Sequence, residues 1–148
     1  MSDDLYRPHI LEHYGHPRNW GRLEHPDIVG DAEEPSCGDQ VLIELALDTE
    51  GRVAKVGVEG EGCMISMAAA SILGEYIRGK SLDELRALTE EDMLALVDAP
   101  VGASRRRCAL LPLRVLQGAL ATRSQESHIP DLGSRKGGRV PKQSGSGA

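Results

Sequence analysis

A run of apolar residues from Leu42 to Leu47, interrupted by Glu44, predicts a β-strand. Three valines follow a turn at residues 49–52 and predict a second strand, so we expect the pair to form an antiparallel hairpin. A further strand over residues 26–32 has a weaker signal, because its apolar residues are few. The pattern therefore predicts a small sheet in the first half of the chain.

The spacing of apolar residues becomes helical after Gly62. It predicts a helix over residues 64–77 that Gly79 ends, and this is the clearest helical pattern in the chain. The earlier segment "LYRPHILEHYGHPRNWG" predicts an amphipathic helix stopped at Gly15. Proline fits only the first turn of a helix, so Pro8 predicts either a helix that begins late or a mobile first segment.

Two short helices are predicted by their capping residues. Ser81 stands three residues before Glu84, and Thr89 stands three residues before Asp92, which is the spacing of a capping box. We expect the second of these helices to end near residues 99–100, where a proline follows.

A last helical pattern follows Cys108. It predicts a helix from near Arg107 to about Arg123, on the assumption that Pro112 must lie close to the helix start. Residues 124–148 lack apolar periodicity and are rich in glycine, serine and proline, which predicts a flexible tail. We therefore expect one domain at residues 1–123 and a disordered C-terminal tail at 124–148.

Composition and charge narrow the classes of function. The chain has 148 residues and a net charge of −6, and the tail carries four basic and two acidic residues, so the expected domain is more acidic still, near −8. This charge disfavours binding to nucleic acid or anionic membranes. The N-terminus is acidic and the apolar stretches are short, which predicts a cytoplasmic protein without a membrane segment.

The three cysteines, Cys37, Cys63 and Cys108, are the candidate chemical groups. An odd number in a reducing compartment argues against a disulfide framework and leaves free thiols, metal ligands or a nucleophile. Cys63 and Cys108 are both predicted at helix starts, which favour the thiolate form. Cys37 and Asp39 are two residues apart on an extended segment, so they can converge on one ion if Gly38 permits a tight turn.

Other interpretations of these residues have to be weighed. A single cysteine is most often a small buried apolar residue, and a single aspartate at a turn most often caps it. The separations of 26 and 45 residues between the cysteines match no zinc finger or ribbon. Three cysteines that all stand at element starts are a less probable coincidence, which favours a shared site.

Four blocks of the sequence carry a resemblance to a known family. They are "LYRPHILEHYGHPRNWG", "PSCGDQ", "GEGCMIS" before an alanine-rich helix, and "RRRCALLPLRVL". In this order, from residue 5 to about 122, they resemble the IscU/SufU/NifU family of iron-sulfur cluster assembly proteins. The resemblance implies an α+β fold in which helices pack on a three-stranded antiparallel sheet, as in SufE- and NifU-like proteins.

The same resemblance implies a site and partners. Cys37, Asp39, Cys63 and Cys108 would meet at one exposed end of the molecule and hold a transient iron-sulfur cluster, of the 2Fe-2S type, or a zinc ion. The site would accept sulfur from a cysteine desulfurase of the SufS or IscS kind and pass a cluster to recipient apo-proteins. The expected assembly state is a monomer or a weak homo-oligomer. Carboxylate oxygen holds thiophilic iron less firmly than thiolate does, so Asp39 would be the ligand that eases release.

Features of the last block, "RRRCALLPLRVL", distinguish two branches of the family. IscU-type members have a histidine immediately before the last cysteine, where this chain has Arg107. SufU-type members have an arginine three residues before it, matched here by Arg105, and continue with a pattern similar to "CALL". The 44 residues between Cys63 and Cys108 leave no room for the usual SufU insertion, so the chain resembles a short, SufU-leaning form.

Three functions follow from these observations. The first is a non-enzymatic scaffold for iron-sulfur cluster assembly. The second is a zinc-dependent sulfurtransferase, in which Cys108 accepts the sulfur and Arg105 positions the thiolate or the partner. The third, kept as a control, is a structural zinc module.

Overall fold

A computed structural model describes residues 7–35 and 38–128. The elements, in chain order, are α1 (Pro8–Gly15), β1 (Ile28–Glu34), β2 (Asp39–Leu47), β3 (Val53–Glu61), α2 (Met64–Ile77), α3 (Leu82–Arg86), α4 (Glu90–Val97) and α5 (Ala103–His128). The strands form one antiparallel sheet in the order β1-β2-β3. This confirms the predicted α+β fold, including the weakly signalled first strand.

The core lies between one face of the sheet and the helices α2 and α5. Val41, Ile43 and Leu45 alternate along β2 and point into it, because side chains two apart share a face of the sheet. The helix α2 is buried on almost all sides, from Ile65 to Leu73. A helix apolar all round is stable only where neighbours cover it, so α2 is the central helix of the domain.

The opposite face of the sheet is partly covered by the segment between α1 and β1. The N–H of Gly21 donates to the Val58 carbonyl oxygen at 2.8 Å, which joins this segment to β3. Glu44 points from β2 toward the same segment and is almost completely buried. Its Oε2 accepts hydrogen bonds from Arg22 at 2.7 and 2.8 Å, and its Oε1 accepts one from the Leu23 N–H at 2.7 Å.

Both capping boxes are present. At α3 the Ser81 hydroxyl accepts from the Glu84 N–H at 3.2 Å, and Glu84 accepts from the Ser81 N–H at 2.8 Å. The same exchange joins Thr89 and Asp92 at α4. The second helix ends at Val97, two residues before the predicted end.

The helix α1 begins at Pro8, as predicted, and its partner is α2. The Ser71 hydroxyl lies 2.8 Å from Nδ1 of His13, and it accepts a hydrogen bond from the Arg18 N–H at 2.8 Å. Nε2 of His13 lies 3.6 Å from a carboxylate oxygen of Glu75. This polar joint fixes the two helices relative to each other.

The predicted bounds of α5 were wrong at both ends. The helix starts at Ala103, four residues before Arg107, and continues through His128, five residues beyond Arg123. Pro112 therefore lies in the helix interior, where it removes a backbone donor at a cost of about 3 kcal/mol. Burial of apolar side chains along the helix from Ala109 to Leu120 offsets this cost.

The C-terminal part of the chain is only partly described. Residues 124–128, assigned to the tail in the sequence analysis, continue α5, and residues 129–148 lie outside the described part. The predicted flexible tail stays a prediction. In the ranges 7–35 and 38–128, no helix combines the length and apolar character needed to cross a membrane.

Candidate metal centre

Three of the four predicted site residues meet at one end of the sheet. Asp39 is the first residue of β2, Cys63 is the N-cap of α2, and Cys108 lies on α5. One carboxylate oxygen and the two sulfur atoms all lie within 4.8 Å of one another. The fold thus brings together residues that are up to 69 positions apart in sequence. The expectation of an exposed site was wrong for two of them, because Asp39 and Cys108 are buried under the start of α2 and within α5.

The fourth predicted residue, Cys37, lies outside the described residues, so its place as a ligand stays a prediction. Its chain neighbours support a tight turn. Gly38 has φ +75°, a left-handed conformation that favours glycine, and its N–H donates to the carbonyl oxygen of Glu34 at 2.8 Å. The expectation that Gly38 lets the backbone turn before Asp39 is therefore confirmed.

Asp39 is held by the start of α2. Its Oδ1 accepts a hydrogen bond from the backbone N–H of Cys63 at 3.1 Å, and its side chain is buried. The first N–H groups of a helix have no partner within the helix, so a carboxylate satisfies one of them and also benefits from the helix dipole. This contact fixes the carboxylate next to the Cys63 sulfur.

Gly62 is a site residue that the sequence analysis did not identify. It has φ +156°, and a Cβ atom built on it would stand 2.5 Å from both Cγ and Oδ1 of Asp39. Only glycine leaves this space open, so the carboxylate can reach the helix start. A glycine directly before a cysteine that opens a helix was the signal for this role in the sequence.

Ser66 is a second site residue that the sequence did not indicate. It is buried in α2, and its hydroxyl lies 3.7 Å from the Cys63 sulfur. The same hydroxyl donates to the Cys63 carbonyl oxygen at 3.1 Å. A hydroxyl at this place can turn its proton toward the sulfur when Cys63 is a thiolate.

Cys108 is not at a helix start, so that prediction was wrong. It is the sixth residue of α5 and is buried at 3% relative exposure. The error came from the assumption that Pro112 must lie in the first turn. The argument that exposed helix amides favour a Cys108 thiolate loses its basis, because the dipole effect falls off within the first turn.

Arg105 retains its proximity to Cys108. The two residues are three positions apart on one helix, which places them on neighbouring parts of the same face, and Arg105 is half-buried. Arg106 instead pairs with Glu90 of α4 at 3.6 Å. Of the arginine run, Arg105 is thus placed best for the predicted positioning role.

An ion pair between a buried acid of β1 and an exposed arginine of α5 supports the site. Glu34 pairs in register with Asp39 across the sheet and is buried. Its Oε1 accepts a hydrogen bond from the Arg114 guanidinium at 2.8 Å, which links α5 to the sheet. This pair, which the sequence did not reveal, holds the helix that carries Cys108 against the strand end that carries Asp39.

An open groove of about 340 Å³ borders the site. It is lined by residues from the end of α1 and the segment after it, from the end of β3 and the residue that follows, and from α2, namely Tyr14, Pro17, Trp20, Gly60, Glu61, Gly62 and Met67. Tyr14 is exposed, although the periodicity of α1 favoured burial of its apolar side, and Trp20, in the segment after α1, is exposed as well. The groove leads to Gly62, the residue before Cys63, and gives a partner an approach to the site.

The donor set fits a thiophilic metal. Two thiolates and a carboxylate are ligands that zinc accepts, and thiolates are the usual ligands of iron-sulfur clusters. Ligand atoms around tetrahedral zinc stand about 3.3–3.8 Å apart, so atoms that lie within 4.8 Å of one another would close by no more than about 1.5 Å around a zinc ion. Asp39, Cys63 and Cys108 would hold the ion, and Cys37 is the predicted fourth ligand.

Comparison with known proteins gives a consistent result. A family model described as the NifU-like N-terminal domain matches residues 5–128. The zinc-dependent sulfurtransferase SufU of Bacillus subtilis is 35% identical over 136 residues, which cover 80% of this chain and 91% of SufU. The iron-sulfur cluster assembly enzyme IscU of Drosophila melanogaster is 30% identical over 120 residues, which cover 79% and 77%.

A solved structure extends the likeness to the fold. The crystal structure of the N-terminal part of a nitrogen-fixing NifU-like protein from Brucella abortus superposes with a TM-score of 0.70 at 25% identity. The match covers 84% of this chain and 98% of that one. The sequence comparison and the fold comparison thus both match the chain to the NifU-like family.

Proposed function

Because the chain belongs to the NifU N-terminal family, which includes the IscU and SufU proteins of iron-sulfur cluster assembly, we propose that it is a cluster assembly scaffold. In this function a nascent cluster is the cargo of the site. The observation that carries the proposal is the convergence of Asp39, Cys63 and Cys108 within 4.8 Å.

The site residues would contribute differently to binding the cluster and to releasing it. The thiolates of Cys63 and Cys108, with Cys37, would bind the cargo, while Asp39 contributes a harder and weaker ligand. The hydrogen bond from the Cys63 N–H and the space left by Gly62 keep the carboxylate in place. A scaffold has to release its cluster to apo-proteins, and a mixed ligand set makes that release easier than four thiolates would.

A zinc-dependent sulfurtransferase is the second candidate, favoured by the 35% identity to the Bacillus subtilis protein of that name and by Arg105. A bound zinc would hold the thiols as thiolates until a partner displaces it. The Cys108 thiolate then attacks the terminal sulfur of a desulfurase persulfide. A new S–S bond forms on Cys108, the old one breaks, and the desulfurase thiolate leaves, so no external oxidant is needed.

The burial of Cys108 adds a condition to this step. A thiol that is 3% exposed cannot meet a partner's persulfide unless the site opens, and release of zinc is the event that would free it. The cysteine desulfurase is thus the proposed upstream partner in both candidates. Recipient apo-proteins are the downstream partners of the scaffold.

Metal analysis of protein purified without air, combined with its visible spectrum, tests the site. We expect bound iron with sulfide absorption for the scaffold, or stoichiometric zinc and no visible band for the sulfurtransferase. Metal should fall sharply in Cys37→Ser, Cys63→Ser and Cys108→Ser. The carboxylate ligand is tested with Asp39→Asn. Its control is Asp83→Asn, which changes an exposed acid of α3 and should retain the metal. Unchanged metal content in Cys63→Ser would exclude a shared site.

The acceptor thiol is tested by mass spectrometry. After incubation with a cysteine desulfurase, its pyridoxal cofactor and cysteine, added sulfur should appear on the Cys108 peptide and vanish in Cys108→Ser. Sulfur found on Cys63, with Cys108→Ser still fully loaded, would show that Cys108 is not the acceptor thiol. Metal retained without any sulfur transfer or cluster formation would favour the structural zinc module.

A further inference from the structure

The face of the sheet away from the core carries an acidic groove of about 590 Å³. Two rows of side chains cross it. In one row the register places Leu42 of β2 between Asp31 and Glu59. Residues two positions apart along a strand share a face of the sheet, so the next row on this face lies directly beside the first. Its composition is similar.

In the second row Gln40 lies between Glu33 and Glu61. Four carboxylates therefore stand as two walls along a floor made by the central strand. Neighbouring strands are about 4.8 Å apart, so the walls are roughly 10 Å from each other. This width fits one extended peptide.

The acids of the two rows are not paired with cations in the described part of the chain. Asp31, Glu33, Glu59 and Glu61 are exposed and form no ion pair within the ranges 7–35 and 38–128. The cation beside them is Arg22, whose guanidinium is already committed to the buried Glu44. The pKa of Arg22 is raised, chiefly by its hydrogen bond with Glu44, with Glu59 and Asp31 adding to the effect.

The rest of the chain contains a segment of complementary charge. Residues 129–148 hold four basic residues, all between Arg135 and Lys142, against a single acid, Asp131. The same stretch includes Val140, an apolar side chain that could meet Leu42 on the groove floor. An extended basic peptide with a small apolar contact matches the groove in charge and width.

The path from the end of α5 is short enough. Gly30 of β1 lies against Ala119 of α5, and the nine helical residues from there to His128 rise about 13 Å. The seven residues from His128 to Arg135 span up to about 23 Å when extended. The chain can thus return to β1 and pass its edge to reach Asp31.

We propose that the basic segment Arg135–Lys142 docks in this acidic groove of the same molecule and shields Trp20. Trp20 lines the groove and also borders the approach to Cys63, so the docked segment lies beside the metal centre. The interaction rests on exposed ion pairs and is therefore sensitive to salt.

Trp20 is the single tryptophan of the chain and provides the measurement. Acrylamide, a neutral quencher, reports its accessibility in the full-length protein. Between about 0.02 M and about 0.5 M salt, we expect the quenching constant to rise roughly twofold, because screening releases the segment. Neutralising the segment (R135Q, K136Q, R139Q and K142Q) should give the higher value at both salt concentrations.

Matched variants separate pairing from a general effect of charge. The groove pair D31N and E59Q should behave like the neutralised segment, while the control pair E50Q and E91Q, at exposed acids of the hairpin turn and of α4, should behave like the unchanged protein. Reversing both partners, with D31K and E59K combined with R135E and K136E, should restore shielding.

Equal quenching of the unchanged protein and the neutralised segment at low salt would overturn the proposal. Shielding that grows with protein concentration would also overturn it, because the occupant would then be the segment of a second copy. Shielding that requires an added basic peptide would assign the groove to a partner protein instead.

Discussion

At the scale of single residues, Gly62 shows how a missing side chain shapes the site. The Asp39 carboxylate fills the space beside it and lies 2.5 Å from the place that a Cβ atom on residue 62 would occupy. The sequence indicated Asp39 and Cys63 as partners, but it could not show that a glycine makes their contact sterically possible. Such a dependence is a property of backbone geometry.

Gly62→Ala should therefore displace Asp39 and lower zinc affinity by about tenfold or more, as for other residues that position ligands. Gly51→Ala is the matched control, since Gly51 also has a positive φ, +83°, but has nothing within 4 Å of the added carbon. It should cost about 1–2 kcal/mol of stability and leave affinity unchanged. A zinc titration with a competing chelator measures both; equal affinities would disprove the positioning role.

Glu44 is the second residue with an effect beyond its immediate contacts. It was counted as a polar interruption of an apolar strand, but it is almost completely buried and both of its oxygens are hydrogen-bonded. Glu44→Gln should lower the free energy of unfolding by about 1–3 kcal/mol, because one of the two buried oxygens becomes an NH2 group that cannot accept the hydrogen bond from Arg22 or from the Leu23 N–H. Urea unfolding at unchanged slope is the measurement.

The control for Glu44→Gln is Glu12→Gln. Glu12 pairs with Arg18 at 3.1 Å, but at the surface. Its loss should change stability by less than about 0.5 kcal/mol. Similar losses in the two variants would show that the buried Glu44 carboxylate contributes no more to stability than the carboxylate of a surface pair.

At the scale of elements, local signals predicted most of the structure. The hairpin, α2 with Gly79 after it, and both capping boxes depend on residues a few positions apart, so the sequence shows them directly. The bounds of α5 depend instead on tertiary packing. Burial against β1 and α2 stabilises a helix that continues through Pro112. The low helix propensity of proline would by itself place a helix end or a helix start at that residue.

The joint between α1 and α2 has a pH dependence whose sign can be derived. The pKa of His13 is lowered, first by burial and then by Arg18 and His9, while Glu75 and Glu12 oppose the shift. The unfolded chain therefore binds the proton more readily. The contribution of His13 to stability is complete above its ordinary pKa of 6.5 and is lost as the pH falls through that value toward the lower folded pKa.

His13→Asn should accordingly flatten the fall in melting temperature between about pH 7 and about pH 5. His25→Asn, at an exposed position outside the joint, is the control and should retain the slope of the unchanged protein. An unaltered slope in His13→Asn would show that other groups cause the acid sensitivity.

At the scale of the whole molecule, the metal centre joins parts of the chain that no local pattern connects. Asp39, Cys63 and Cys108 come from the sheet, from α2 and from α5. The cysteine separations matched no short motif, so residues alone left several interpretations open, and the family blocks gave the grouping. Only the packed fold shows that the three side chains meet.

A ligand held by three separate elements should stabilise all of them together. At free zinc of 100 times the dissociation constant, we expect about 2.7 kcal/mol of added stability, which corresponds to a rise in melting temperature of about 9–11 °C. Calorimetry with and without chelator measures it. The rise should vanish in Cys63→Ser, and an equal rise in that variant would place the zinc elsewhere.

The open side of β1 has a consequence for how copies of this molecule coexist in solution. In the part of the chain that the structure describes, β1 pairs with β2 alone, so its other backbone edge could receive a strand from another molecule. Approaching copies would bring Asp31 and Glu33 together, and their like charges oppose that encounter near neutral pH. Replacing Asp31 and Glu33 by their amides would remove those charges and leave the exposed Val29, so such a variant should lose colloidal stability through edge-to-edge association even while each domain is still folded.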